Sequence, residues 1–227
     1  MKKSVGIVFA DEMEYTPFEK LAEKFGAKKG TLCGLESVSF ELENLFVCAV
    51  KSGIGKVNAA FAASCLILEK KAEIILNAGL SGAISKVCRG DIVAGESFAE
   101  CDFDLTAIGY ELGKKPDGDL SVHFADKTLL EKLLLLGNIK SGKFGTGDIF
   151  LSDSVKKNLF KEKFKICAFD METAAIAAVC DRLSVPFLSV RKISDDADDS
   201  SGEDYREMNN KAESQLSEIL FGFFEVL

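Results

Sequence analysis

Three acidic residues stand where strand-like runs give way to polar chain. Glu14 follows SVGIVFA (4–10), Glu172 lies in DMETAA (170–175), and Asp195 follows VPFLSVRKIS (185–194). Asp195 opens the run Asp-Asp-Ala-Asp-Asp, and neither Lys nor Arg follows until Arg206. A placed carboxyl can protonate a leaving group, take a proton from water, or steady a developing cation. Each acid also has a plain reading. Glu14 and Glu172 suit the positive first turn of a helix, and Asp195 suits a solvated strand exit. Three acids brought to one end of one sheet are harder to explain that way. They would repel unless a cation or a shared proton lay between them.

Two glycine clusters accompany the acids. KSGIGKVNAA (51–60) and NAGLSGAI (77–84) put glycines where strands give way, which lets backbone approach a ligand closely. Neither matches the dinucleotide or P-loop pattern. TGDIFLSD (146–153) carries Phe150 and Leu151 in a loop. A ring there packs into the core by default, or stacks on a flat heterocycle.

The elements that must position these residues alternate in type. Strands read over 4–10, 45–53, 73–79, 90–98 and 185–194, and helices over about 14–25, 57–71, 128–137, 171–184 and 205–227. Several strands are apolar along their whole length, which predicts an α/β fold with helices covering both faces of a mainly parallel sheet. Ligands in such folds sit beyond the carboxyl ends of the strands. That rule selects the segments after Phe9, Val50, Leu76 and Ile193: Asp11–Glu14, Ser52–Lys56, Asn77–Gly82 and Ser194–Asp198.

Bulk properties narrow the partners. The 227 residues, 47% hydrophobic with three prolines, predict a single domain over 1–227. A net charge of −8 argues against nucleic acid and against an anionic membrane surface. No run approaches a membrane span, and the acids at 11, 12 and 14 interrupt any signal-peptide pattern. Seven scattered cysteines without a CxxC, and a lone His123, predict reduced thiols rather than a disulfide framework or zinc site. A cytoplasmic location is expected.

Taken together, VGIVFADEMEY, KSGIGKVNAA, NAGLSGAI, GDIV, DLTAIGYELG, TGDIFLSD, DMETAAIAAVC and VPFLSVRKISDDAD resemble the methylthioadenosine/S-adenosylhomocysteine nucleosidases of the purine and uridine phosphorylase superfamily. The resemblance runs nearly end to end, and KSGIGKVNAA, DMETAA and VRKISD in combination are specific to it. It implies a three-layer αβα sandwich with a central, mostly parallel twisted mixed sheet. It also implies hydrolysis of the N-glycosidic bond of a 5′-substituted adenosine. By position, Asp195 resembles the general acid at purine N7 and Glu14 the acid that positions the attacking water. Met171 and Glu172 resemble the ribose-binding pair, with Arg191 close by and Ile54 beside the sugar. Phe150 resembles the adenine-stacking ring and Leu151 the residue whose backbone reads the purine edge. Ser81 and Tyr205 complete the implied substrate-binding set. The resemblance implies a homodimer, in which the partner's segment around Ile108 and Pro116 closes the 5′ pocket.

Elementary chemistry agrees with those roles. Adenine leaves poorly as an anion, so it must be protonated or hydrogen-bonded as the bond breaks, while the sugar gains oxocarbenium character that carboxylates stabilise. No metal or organic cofactor is called for. A phosphate nucleophile would want arginine forks. The related phosphorylases have a GDPxR-like stretch after the first strand, where this chain reads FADEMEY. Hydrolysis is therefore expected over phosphorolysis. Two departures touch the 5′ group: Leu80 then Ser81 where the family commonly has Ser, and Asp11 where it is usually apolar. Methylthioadenosine, S-adenosylhomocysteine, 5′-deoxyadenosine and aminofutalosine-like nucleosides stay open. The rival readings are a phosphorylase, a futalosine-type nucleosidase and a non-catalytic nucleoside sensor.

Overall fold

The computed structural model describes residues 2–116, 122–198 and 214–227. In chain order the strands are β1 (Lys3–Phe9), β2 (Lys28–Leu32), β3 (Leu35–Glu41), β4 (Leu45–Lys51), β5 (Ile74–Ala83), β6 (Ile92–Glu100), β7 (Val122–Phe124), β8 (Lys140–Thr146), β9 (Ala168–Asp170) and β10 (Phe187–Asp195). The helices are α1 (Glu12–Glu23), α2 (Lys56–Lys70), α3 (Lys127–Leu134), α4 (Ser154–Phe164), α5 (Thr173–Leu183) and α6 (Ser214–Phe224).

The centre is the parallel run β4–β1–β5–β10. Its strands are buried on both faces, so each supplies apolar residues to two cores. Val5, Ile7 and Phe9 of β1 face Phe18 of α1, Phe40, and Phe223 and Phe224 of α6. Val8 faces the other way, towards Ala59, Ala62, Ala63 and Leu66 of α2 and Ala174 and Ala177 of α5. This is the helix–sheet–helix layering the α/β pattern predicts. Among the described residues no helix is long and apolar enough to cross a membrane.

The sheet also closes on itself. β5 pairs with β10, β10 with β6, β6 with β8, β8 with β9, and β9 returns to β5. This ring explains why β5 does not end at Gly79 as the apolar run suggests. Gly82 and Ala83 still find partners in Phe169 and Ala168 of β9, so NAGLSGAI is strand rather than loop. Strands β2, β3, β7, β8 and β9 and helix α4 are not evident from periodicity. β2 is mostly exposed, and β8 reads KSGKFGT, with too few apolar residues to signal a strand. α5 begins at Thr173 rather than 171. The expected closing helix is present over Ser214–Phe224, while its first part, Tyr205 included, lies outside the described residues. All seven cysteines are free; five are buried, but Cys33 and Cys88 are exposed.

Candidate active site

Beyond the ends of β1, β5 and β10 lies a cavity of about 340 Å³. Its wall includes Glu14, Ile54, Ser81, Phe150, Leu151, Met171, Glu172 and Asp195, eight of the residues singled out in the sequence. Arg191 belongs to the site without lining the cavity. It is wholly buried, directly behind two of the acids.

One end of the site is a set of charges packed round that guanidinium. Nη1 of Arg191 lies 3.9 Å from Glu14 Oε1, Nη2 lies 3.8 Å from Glu172 Oε2, and Nε lies 3.3 Å from Asp170 Oδ2. Nη2 donates to Asn77 Oδ1 at 2.6 Å and to Thr173 Oγ1 at 2.7 Å. Arg191 is thus the cation that lets the acids converge. Glu14 accepts from the Ala10 and Leu80 backbone N–H groups, each at 2.8 Å. Glu172 accepts from Gly55 N–H at 2.9 Å. Burial is the main cause pushing the Glu14 carboxyl up to about 8; Arg191 opposes it, and Asp11 and Glu172 add to it. Burial likewise pushes Glu172 up to about 7, against Arg191 and helped by Asp170.

Asp170 frees Glu172 for this task. Its Oδ1 accepts from Glu172 N–H at 3.0 Å, Thr173 N–H at 2.9 Å and Thr146 Oγ1 at 2.8 Å, and Thr173 Oγ1 donates to its Oδ2. Asp170 therefore takes over the capping of α5, and the Glu172 side chain turns to the cavity instead of to its own helix. Glu172 is still the N-cap residue of α5, so its place at the positive start of the helix is as expected. Asp170, Asn77 and Thr173 are site-shaping residues that were not singled out as such. A usable signal existed: Asn77 and Ser189 interrupt apolar strands, and a buried polar residue needs a partner.

The opposite end holds Asp195, which is 3% exposed. Its Oδ2 accepts from Ser194 Oγ at 2.6 Å and its Oδ1 from Ala197 N–H at 2.8 Å. The next acid, Asp196, is exposed. Of the acidic run, Asp195 is the one carboxylate among the described residues that lines the cavity, and Asp199 lies outside those residues.

The glycines serve the acids more than a ligand. A Cβ on Gly79 would lie 2.2 Å from Glu14 Oε1 and 2.4 Å from Arg191 Nη1, and one on Gly82 would lie 2.9 Å from Asp195 Oδ1. The Leu80 departure is harmless to Glu14, because it is the Leu80 backbone N–H that binds the acid. Ser81 lines the cavity, and its buried Oγ has no partner among the described residues. Phe150 is about half exposed at the cavity wall, and Leu151 is buried. Ile108 and Pro116 sit away from this cavity, on an exposed segment. Tyr205 is outside the described residues. Among those residues no group of three or more His, Cys, Asp or Glu side chains is arranged to hold a metal ion.

Comparison with known proteins places the chain. The model of the phosphorylase superfamily matches residues 4–225. A 5′-methylthioadenosine/S-adenosylhomocysteine nucleosidase of Shewanella piezotolerans is 36% identical over 220 residues, covering 92% of this chain and 93% of that one. The Helicobacter pylori 5′-methylthioadenosine/S-adenosylhomocysteine nucleosidase, solved with butyl-thio-DADMe-Immucillin-A, superposes with a TM-score of 0.93 at 26% identity over 100% of both chains. Futalosine hydrolase of the same organism superposes with a TM-score of 0.92 at 25% identity, over 99% of this chain and 98% of that one. The ring-closed mixed sheet, the cavity beyond its strand ends and this end-to-end similarity agree: the chain belongs to the phosphorylase superfamily, among its methylthioadenosine/S-adenosylhomocysteine nucleosidases.

Proposed function

We propose that the protein hydrolyses the N-glycosidic bond of 5′-substituted adenosines, methylthioadenosine and S-adenosylhomocysteine foremost, and releases adenine. The observation that carries this reading is one cavity with Asp195 at one end, Glu14 and Glu172 at the other, and neither Lys nor Arg among its described lining residues. Asp195 donates to N7 of the leaving adenine, whose ring rests on Phe150. Glu172 and Met171 hold the ribose hydroxyls. In its ionised form Glu14 takes a proton from the water it has positioned as the water oxygen bonds to the sugar's C1′ and the bond from C1′ to the protonated adenine breaks. The Glu172 carboxylate meanwhile steadies the positive charge on the sugar. Arg191 is wholly buried behind Glu14 and Glu172 and does not line the cavity, which supports water over phosphate, since phosphate would need a donor fork free in the cavity. The test is adenine release from methylthioadenosine with and without phosphate. Phosphate-independent release is expected. Release only with phosphate, giving a ribose 1-phosphate, would overturn hydrolysis.

A second reading keeps the chemistry and enlarges the 5′ group. It is supported by the likeness to futalosine hydrolase and by Asp11 on the cavity wall, where a carboxylate suits a polar substituent. Competition between methylthioadenosine and a futalosine-type nucleoside decides between the two.

The working form in this proposal is a homodimer. Val57, Phe61 and Leu68 on α2 and Val155 and Leu159 on α4 are exposed apolar residues, as are Ile54 and Phe150 on the cavity wall and Ile108 on the 103–116 segment. Apolar residues repeated along two helices mark a face to be covered. Sedimentation is expected to give twice the chain mass, and Phe61→Glu to give half of that with much reduced turnover.

A further inference from the structure

Three side chains unused in the chemistry above link the start of α2 to the loop that carries Phe150 and Leu151. Lys56, the first residue of α2, places its Nζ 2.7 Å from Asp102 Oδ1. The other oxygen of Asp102 accepts the backbone N–H of Asp148 at 2.8 Å. Asp148 Oδ1 in turn accepts the backbone N–H of Lys56 at 2.8 Å, closing a ring of three residues from three elements. Each link borders on the site. Lys56 follows Gly55, whose N–H holds Glu172, and Asp148 precedes Phe150 and Leu151 by two and three residues.

The local structure shows why α2 needs outside help. Its N-cap is Gly55, which has no side chain to satisfy the first backbone N–H groups. Asp148 does so from 92 residues away. Gly55 has φ +99, and a Cβ there would lie 3.1 Å from Asp148 Oδ1. Gly147 has the same use, since a Cβ on it would lie 3.0 Å from Asp102 Cγ. Both glycines let carboxylates reach backbone. The Lys56 and Asp102 side chains are each about one-fifth exposed, so water screens their pair only in part. Burial works against the Lys56 ammonium, but the hydrogen bond from Lys56 to Asp102, with the charges of Asp102, Asp148 and Glu100, outweighs it and keeps its pKa above the ordinary lysine value.

We infer that Lys56, Asp102 and Asp148 are positioning residues, a polar clamp that fixes the base-stacking loop of Phe150 and Leu151 against the start of α2. The clamp touches no reacting atom. It holds the loop in the conformation that receives the base, and it holds Gly55 N–H where Glu172 needs it. Ordering the loop beforehand removes its entropy loss from the binding step, so the clamp shows itself in affinity more than in the chemical rate.

The inference rests on the nucleosidase reading for the identity of the base, so its test uses two ligands. Turnover is followed with methylthioadenosine, and affinity is measured separately by calorimetry with adenine. Lys56→Met is expected to raise both KM and the adenine Kd about tenfold, with a smaller fall in kcat. Lys56→Arg, which keeps the charge, restores most of the loss. Asp102→Asn acts in the same direction, and the double variant Lys56→Met/Asp102→Asn is no worse than the weaker single variant, because both remove one unit. If Lys56→Met leaves KM and adenine affinity within about twofold of wild type, or lowers only Tm, the clamp does not position the loop. Additive losses in the double variant overturn it as well. Should Lys56→Met fail to fold, Asp102→Asn, nearly unchanged in shape, decides by the same two readouts. A wild-type enzyme that releases adenine while both variants behave normally leaves the proposed function standing and overturns only the clamp. A wild type without turnover whose adenine affinity still falls in Lys56→Met keeps the clamp and sinks the nucleosidase reading.

Discussion

The two ends of the cavity hold their acids in opposite ways. Asp195 is held locally: its partners are the adjacent Ser194 and Ala197, two residues on. Glu14 and Glu172 are held at long range. Glu14 binds the Leu80 N–H from 66 residues away and Glu172 the Gly55 N–H from 117 residues away, with Arg191 behind both. A proton donor on a short turn can be removed with little harm to the fold. Acids crowded round one buried guanidinium are tied to folding, and their protonation is a property of the whole assembly. In the proposed reaction the Asp195 end delivers one proton to the base, and the end that holds Glu14 and Glu172 faces the sugar.

This contrast is open to breakage. The largest effect is expected from Asp195→Asn, which keeps size and the two hydrogen-bonded neighbours but removes the acid. Turnover is expected to fall about 10²–10⁴-fold, with Tm and substrate affinity close to wild type. A comparable loss of stability would mean that the purine end is as tightly tied to the fold as the sugar end.

Glu14→Gln is expected to lower turnover to a similar or somewhat smaller extent, about 10²–10³-fold, while raising stability. The sign follows from the raised carboxyl. Glu14 sits at about 8 in the fold against an ordinary 4.5, so the native state binds protons that the unfolded chain has released between those values. Native stability from this group is full below the unfolded value and is lost as pH rises towards 8. Wild-type Tm should therefore drop between pH 5 and pH 8 by more than that of Glu14→Gln. Parallel melting curves across this range would show that the sugar end does not store protons.

Gly79→Ala tests the same end through its packing. A Cβ 2.2 Å from Glu14 Oε1 and 2.4 Å from Arg191 Nη1 must push one of them aside. A loss of about 2–4 kcal/mol in stability is expected, with reduced turnover in the fraction that folds. The corresponding change at the purine end, Gly82→Ala, meets Asp195 Oδ1 and Ala197 Cβ at 2.9 Å and should be milder in stability. Equal effects on denaturant unfolding would erase the distinction between the ends.

The smallest and most informative effect concerns pH. The acid limb of kcat/KM should lie well above the ordinary carboxylate range, near the values of about 7 and 8 shared by Glu172 and Glu14. Lys56→Met, which touches neither acid, should leave that limb in place while shifting KM. An acid limb near pH 4.5 would remove burial as the factor that sets their acidity.

Much of the candidate site was legible in the chain because strand ends are legible. Apolar runs ending at Phe9 and Ile193, with an α/β alternation between them, select Glu14 and Asp195 by the rule that ligands lie past the strands. The resemblance then supplied roles for Phe150, Met171 and Glu172. Asp170 escaped, and Asn77 was reached only as the start of a strand-end segment, because their importance lies in what they bind, and Thr173 and Arg191 meet them only after the sheet has formed. β8 and β9 escaped for a related reason. KSGKFGT and AFD carry little period of their own and become strands because the ring has places for them.

The sequence by itself determined the α/β alternation, the acidic surface, and the presence of chemically able acids at three strand-adjacent positions. These depend on residue period, composition and local turns, which neighbouring residues dictate. Tertiary structure alone decided that the second half of β5 is strand, that Asp195 is buried while Asp196 is not, and that Glu14 and Glu172 converge on Arg191. Those outcomes depend on burial and on distances between residues far apart in the chain, and Coulomb energy and desolvation have no value until those distances exist.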